Sequence, residues 1–145
     1  MKKSIFVALA AAAACGGSST AKTPALSITA PGAGASVALG TDADQSVNLS
    51  YTVSDFAVKP PGACGSVSSS CGHIHILIDG IACNSPNSPY NGTSVTAGTA
   101  VAKFARCSKP TGDHTVSLEL HDDTHHAVNN DNGQQILATV QFTTR

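Results

Sequence analysis

The chain has 145 residues, a net charge of -1, 12% charged residues, 4% aromatic residues and no tryptophan. The absence of a basic run excludes an electrostatic footprint for nucleic acid, and no acidic run points to a disordered tail. Scarce aromatics argue against a stacking platform for sugars or bases, whereas abundant Thr, Ser, Val, Ala and Gly suit strands and tight turns.

Residues 1–14 read as an export signal, with a basic "MKK" followed by the apolar run "SIFVALAAAAA". That run is too short to cross a bilayer, which takes roughly 20 residues. Small residues leading directly into Cys15 resemble the lipobox of bacterial lipoproteins, with Ala12 where that pattern favours Leu. The resemblance implies lipidation of Cys15 as the mature N-terminus and a membrane anchor. Gly16, standing where an aspartate is associated with inner-membrane retention, leans towards the outer membrane. From Cys15 to residue 25 the chain is small, polar and aperiodic, a flexible tether. Residues 26–145 are long enough for one domain with a real core.

The domain opens with "LSITAPGAGASV", a short strand and a Pro/Gly turn. In "SVNLSYTVSDF", Val47, Leu49, Tyr51 and Val53 alternate with polar residues, which predicts a strand with one buried face. "KPPGACGSVSSSCG" is a long loop, and residues 73–78 form a second strong strand with Ile74, Ile76 and Ile78 inward. Asp79-Gly80 is a hairpin-turn signal, since a type I′ turn needs positive φ at both central residues. That turn pairs Ile78 with Ile81 and aims Cys83 at the core. "NSPNSPYNG" is loop and "TSVTAGTAVAKFARC" one or two strands. "HTVSLELH" buries Val116, Leu118 and Leu120, "DDTHHAVNNDNG" is a polar loop, and "QILATVQFTT" points Ile136, Ala138, Val140 and Phe142 inward. No helical period occurs outside the signal. About seven strands between turn signals predict an all-β, immunoglobulin-like antiparallel sandwich with Greek-key connections; a small Greek-key barrel is the alternative.

With Cys15 assigned to lipid, Cys64, Cys71, Cys83 and Cys107 remain, an even set in an exported chain, with three possible connectivities. The expected pairs are Cys64–Cys71, closing the Ser/Gly-rich loop, and Cys83–Cys107, joining distant strands. A thiolate metal site competes with this, but no C-x-x-C pair supports it.

All six histidines fall in two places: His73 and His75 in one strand, and His114, His121, His125 and His126 in and around "DHTVSLELHDDTHH". Residues two apart in a strand share a face, so His73 and His75 lie opposite the isoleucines. Two imidazoles so placed make half of a Cu(II) or Zn(II) site. Further ligands must come from the second cluster, where Glu119 and His121 share a face and Asp122, Asp123, His125 and His126 follow. Histidines on a solvated strand face, or His114 hydrogen-bonded to backbone beside a turn, need no metal at all. Asp79 reads as a turn residue, and "NNDNG" lacks the spaced acidic ligands of a calcium loop.

The order "ITAPGAGASV", "VNLSYTVSDFAV", "GHIHILIDG" and "TGDHTVSLELHDDTH" is similar to a family of exported bacterial domains with a G-H-x-H, G-x-H-T, D-x-x-H pattern. The resemblance covers most of residues 26–143 and implies an immunoglobulin-like sandwich. It singles out Gly72, His73, His75, Asp79, Gly80, His114, Asp122 and His125, leaving His121 and His126 outside. A shorter stretch, "GHIHILIDGIACNSPNSPYN", resembles the copper strand of copper-zinc superoxide dismutase. Ser88, Pro89, Tyr90 and Asn91 stand at a step that there carries a bridging histidine, and the zinc loop and the segment with the catalytic arginine are missing. Efficient dismutation needs complete, oriented ligand shells.

The leading functional reading is thus a cell-envelope lipoprotein that binds copper or zinc through His73, His75, His114 and His125 with Asp122. An immunoglobulin-like adhesion or envelope-interaction module with structural histidines is the alternative. Enzyme readings, dismutase included, trail both, since no G-x-S-x-G, no recognisable catalytic carboxylate pair and no phosphate-cradling loop is present.

Overall fold

The computed structural model describes residues 22–65 and 67–145; the expected signal, Cys15 and most of the tether lie outside the described residues. Among the described residues nine strands are formed: β1 (Ala25–Ala30), β2 (Ser36–Val37), β3 (Ser46–Ser54), β4 (Ala57–Val58), β5 (Cys71–Ile78), β6 (Gly92–Ser94), β7 (Thr99–Lys103), β8 (Gly112–His121) and β9 (Leu137–Thr144). Among the described residues no helix is long and apolar enough to cross a membrane.

The strands build two sheets, one ordered β1-β3-β7 and the other β2-β9-β8-β5-β4, with β6 also pairing β5. Most pairings are antiparallel; β2 runs parallel to β9 and β4 parallel to β5. Among the strands of three or more residues, the first, second and fifth form one sheet and the remainder the other, the connectivity of an immunoglobulin-like sandwich. Period-two alternation fixes which face closes. Val47, Leu49 and Tyr51 from β3, with Ala100 and Ala102 from β7, meet Ile74, Ile76 and Ile78 from β5 and Val116, Leu118 and Leu120 from β8, all buried. Phe104 and Phe142 close one end of this core, edge to face with centroids 6.0 Å apart.

Both expected disulfides form, Cys64–Cys71 and Cys83–Cys107. The second joins two loops rather than two strands, because the chain leaves β5 without making a hairpin. Asp79 and Gly80 do take positive φ, 50° and 67°, but no strand follows, and Ile81 is 73% exposed rather than paired with Ile78. The turn is diverted because β5 already has β8 along one edge and β4 and β6 along the other. The diverted loop is held instead by Asn91, whose amide donates to Cys83 O and Lys103 O (both 2.8 Å) and accepts from Lys103 N (2.9 Å).

The segment 122–136 is also more than a polar loop. Val128 is buried in the core, and backbone bonds from Val128 N to Leu120 O and from Ile136 N to Val128 O (each 2.9 Å) fold the segment back on itself.

Candidate metal centre

The register of β5 against β8 sets His73 opposite His121 and His75 opposite Glu119. With isoleucines of β5 in the core, all four side chains belong to the outer face of the larger sheet. That face is not solvated here: His73 is 0% and His75 4% exposed. Two loops cover it, the Tyr90 segment and the turn that follows β8.

The turn after β8 is organised by Asp122. Its Oδ1 accepts from Thr124 N (2.8 Å), Thr124 Oγ1 (2.7 Å) and His126 N (3.0 Å), an Asx-type closure. His125 N donates to Asp122 O (3.1 Å), Asp122 N donates to His126 O (2.9 Å), and His125 adopts a φ of 62°. The next carboxylate, Asp123, accepts from Gly62 N (3.1 Å) and Cys64 N (2.8 Å), so the turn is clamped to the loop closed by Cys64–Cys71. Gly72 makes the close approach possible, because a Cβ there would lie 2.0 Å from His121 O.

These contacts bring three histidines together. His73 Nε2 is 2.9 Å from His75 Nε2 and 3.1 Å from His125 Nδ1, and the last two are 3.0 Å apart. A ring nitrogen carries one in-plane lone pair or one N–H, so well-aligned hydrogen bonds cannot close all three sides of the triangle. One cation does: ligand nitrogens about 2.0–2.1 Å from a shared ion lie about 3 Å apart when the angle between them is near 90–100°. Imidazole donors suit zinc and copper over the oxygen-seeking calcium or magnesium. His73 Nδ1 is buried and has no hydrogen-bond partner, so His73 is held by packing alone on that side.

Two of the rings, His73 and His75, are also pushed towards the neutral form that ligation requires. Burial first, then the His121, His73 and His125 rings, pushes His75 down to about 3. Burial, followed by His125 and His121, lowers His73 as well, against weaker raising effects of Asp123 and Asp122. His75 is fixed between two rings, stacked on His121 with centroids 3.7 Å apart and covered by Tyr90 at 3.9 Å. His121 is in turn committed at both nitrogens: Nδ1 donates to His125 O (3.0 Å) and Nε2 faces Glu119 Oε2 (3.2 Å). That hydrogen bond is the main cause of a lowered Glu119 pKa.

Of the residues expected at a metal, His73, His75 and His125 share one point and form a possible ligand group, while His114 and Asp122 stand apart from it. His114 sits beside the turn after β5, where Nδ1 lies 2.7 Å from Asp79 Oδ2 and Nε2 3.2 Å from Pro110 O. It is a structural histidine, and Asp79 holds it while also accepting from Thr115 N (2.8 Å). Asp122 orders the turn and spends Oδ1 on it. His126 is exposed and bonds Thr124 Oγ1 (2.9 Å). The stacking roles of Tyr90 and His121 were not legible, because ring stacking across a diverted loop leaves no periodic trace; only the position of Tyr90 in "SPYN" marked it.

No protein-family model matches the chain, and no curated protein sequence matches it. Among solved structures the chain is similar to the fibronectin(III)-like modules of Clostridium thermocellum CbhA, at 16% identity, covering 82% of this chain and 93% of that one, with a TM-score of 0.40.

Proposed function

We propose that this domain is a transition-metal-binding module of the bacterial envelope, holding copper or zinc through His73, His75 and His125 and carried on a lipidated Cys15. One observation carries the metal reading: three imidazole nitrogens from two elements lie 2.9–3.1 Å from one another. The export and anchoring parts rest on the N-terminal sequence, "MKKSIFVALAAAAAC". Two strand ligands preset on a rigid sheet and a third delivered by a clamped turn suit stable binding.

Metal analysis of the purified protein after loading tests this reading. One copper or zinc per chain is expected, lost in His73→Ala/His75→Ala. An unchanged metal content in that folded double variant would assign the histidines to packing and leave an immunoglobulin-like interaction module.

A further inference from the structure

We propose that the ion held by His73, His75 and His125 keeps one coordination position open to a small exogenous Lewis base, which reaches it through the cleft beside Tyr90 and Glu119. The inference rests on the metal-binding reading and concerns what that site does with its remaining position.

Zn(II) or Cu(II) held by three imidazoles takes at least a fourth donor. Among the described residues, no fourth His, Cys, Asp or Glu atom joins the three nitrogens in a ligand group. The neighbouring histidine and carboxylate groups are largely engaged elsewhere. His121 uses both nitrogens, on His125 O and on Glu119. Asp122 Oδ1 closes its own turn, and both oxygens of Asp123 accept from the Gly62 and Cys64 amides. The four cysteines among the described residues are paired as disulfides and offer no thiolate. On the described residues, the fourth donor of this proposal is therefore an exogenous one.

A route for it exists. A cleft of about 410 Å³ is lined by Leu77, Pro89, Tyr90 and Glu119 together with His75 and His125. Two of the three ligands thus form its wall, while the fully buried His73 lies behind them. The volume is near the lower end of small-ligand pockets. Apolar and aromatic walls with one carboxylate, itself tied to His121, suit a small neutral or singly charged base rather than a bulky polyanion.

Azide titration of the Cu(II)-loaded full chain tests the proposal, read by absorption and electron paramagnetic resonance. A new azide-to-copper charge-transfer band and an altered resonance spectrum are expected, saturating at one azide per copper and absent from His73→Ala/His75→Ala. Leu77→Trp, which fills the cleft, is expected to keep copper stoichiometry and weaken azide binding at least about tenfold. Wild-type chain that takes up no copper at this site overturns the metal reading together with this one. Stoichiometric copper whose spectra ignore azide overturns the open position alone. Unchanged azide affinity in folded Leu77→Trp overturns the cleft as the route.

Discussion

At the scale of single residues, Gly72 and His75 carry the sharpest consequences. A side chain at Gly72 would drive its Cβ to 2.0 Å from His121 O and 2.9 Å from Asp122 Cα, both backbone atoms that cannot rotate away. Gly72→Ala is therefore expected to cost about 3 kcal/mol by overpacking, read as a lowered denaturation midpoint without metal. It also displaces His73 next in sequence, so metal affinity falls with it; a midpoint equal to that of the wild type would refute the close-approach argument. The depressed basicity of His75 and His73 gives a pH signature in the metal-free protein. Folded, His75 binds its proton only near about 3, whereas the unfolded ring does so near 6.5. Between those values the unfolded chain binds more protons, so stability falls as pH drops. Full stability is expected above about pH 6.5 and a progressive loss below it. Denaturation midpoints of metal-free protein at pH 7.5, 6 and 5 should decline, and decline less steeply in His75→Gln; a flat wild-type series would refute the sign.

At the scale of elements, the turn after β8 decides whether two strand histidines become a site. Asp122 Oδ1 holds three donors of that turn, and Asp122→Ala removes all three bonds. Loss of a comparable capping carboxylate costs about 1 kcal/mol, and disturbing a supporting residue of a metal site lowers affinity about 10–100-fold. Asp122→Ala is thus expected to stay folded and bind zinc at least about tenfold more weakly by competition titration; unchanged affinity would show that His125 needs no such support. Strand content was legible from the sequence because burial on one face imposes period two: Val47-Leu49-Tyr51, Ile74-Ile76-Ile78 and Val116-Leu118-Leu120 marked three core strands, and His73 and His75 fell by parity on the other face. The same alternation left open whether that face was covered, since parity fixes direction and not burial. Asp122 and His125 were both marked, but only the fold separates the turn-maker from the histidine that joins the triad. The Asp79-Gly80 signal set the local φ values and still made no hairpin, because both edges of β5 were already occupied.

At the scale of the whole molecule, the two disulfides divide stability from function. Cys83–Cys107 spans 24 residues and ties a loop leaving the larger sheet to one leaving the smaller; Cys64–Cys71 spans only 7. Loop-closure entropy alone then makes the longer link worth about 3.4 kcal/mol and the shorter about 2.4 kcal/mol. Cys83 is also fully buried, so Cys83→Ala/Cys107→Ala opens space in the core and widens the difference. For metal binding the order reverses. The short link closes the loop whose Gly62 and Cys64 amides grip Asp123, two residues before His125, and its other end, Cys71, lies two residues before His73. Releasing it loosens both sides of the triad, whereas the long link reaches the triad only through Asn91 and the neighbouring Tyr90, which covers His75. Cys64→Ala/Cys71→Ala should therefore lose less stability but weaken zinc binding about tenfold or more. Cys83→Ala/Cys107→Ala should lose more stability and, at a temperature where it remains folded, bind zinc close to the wild-type affinity. Chemical denaturation of both variants and competition titration at 15 °C read the two orders separately. If the variant that loses more stability is also the one that binds zinc more weakly, the clamp through Asp123 does not govern the site.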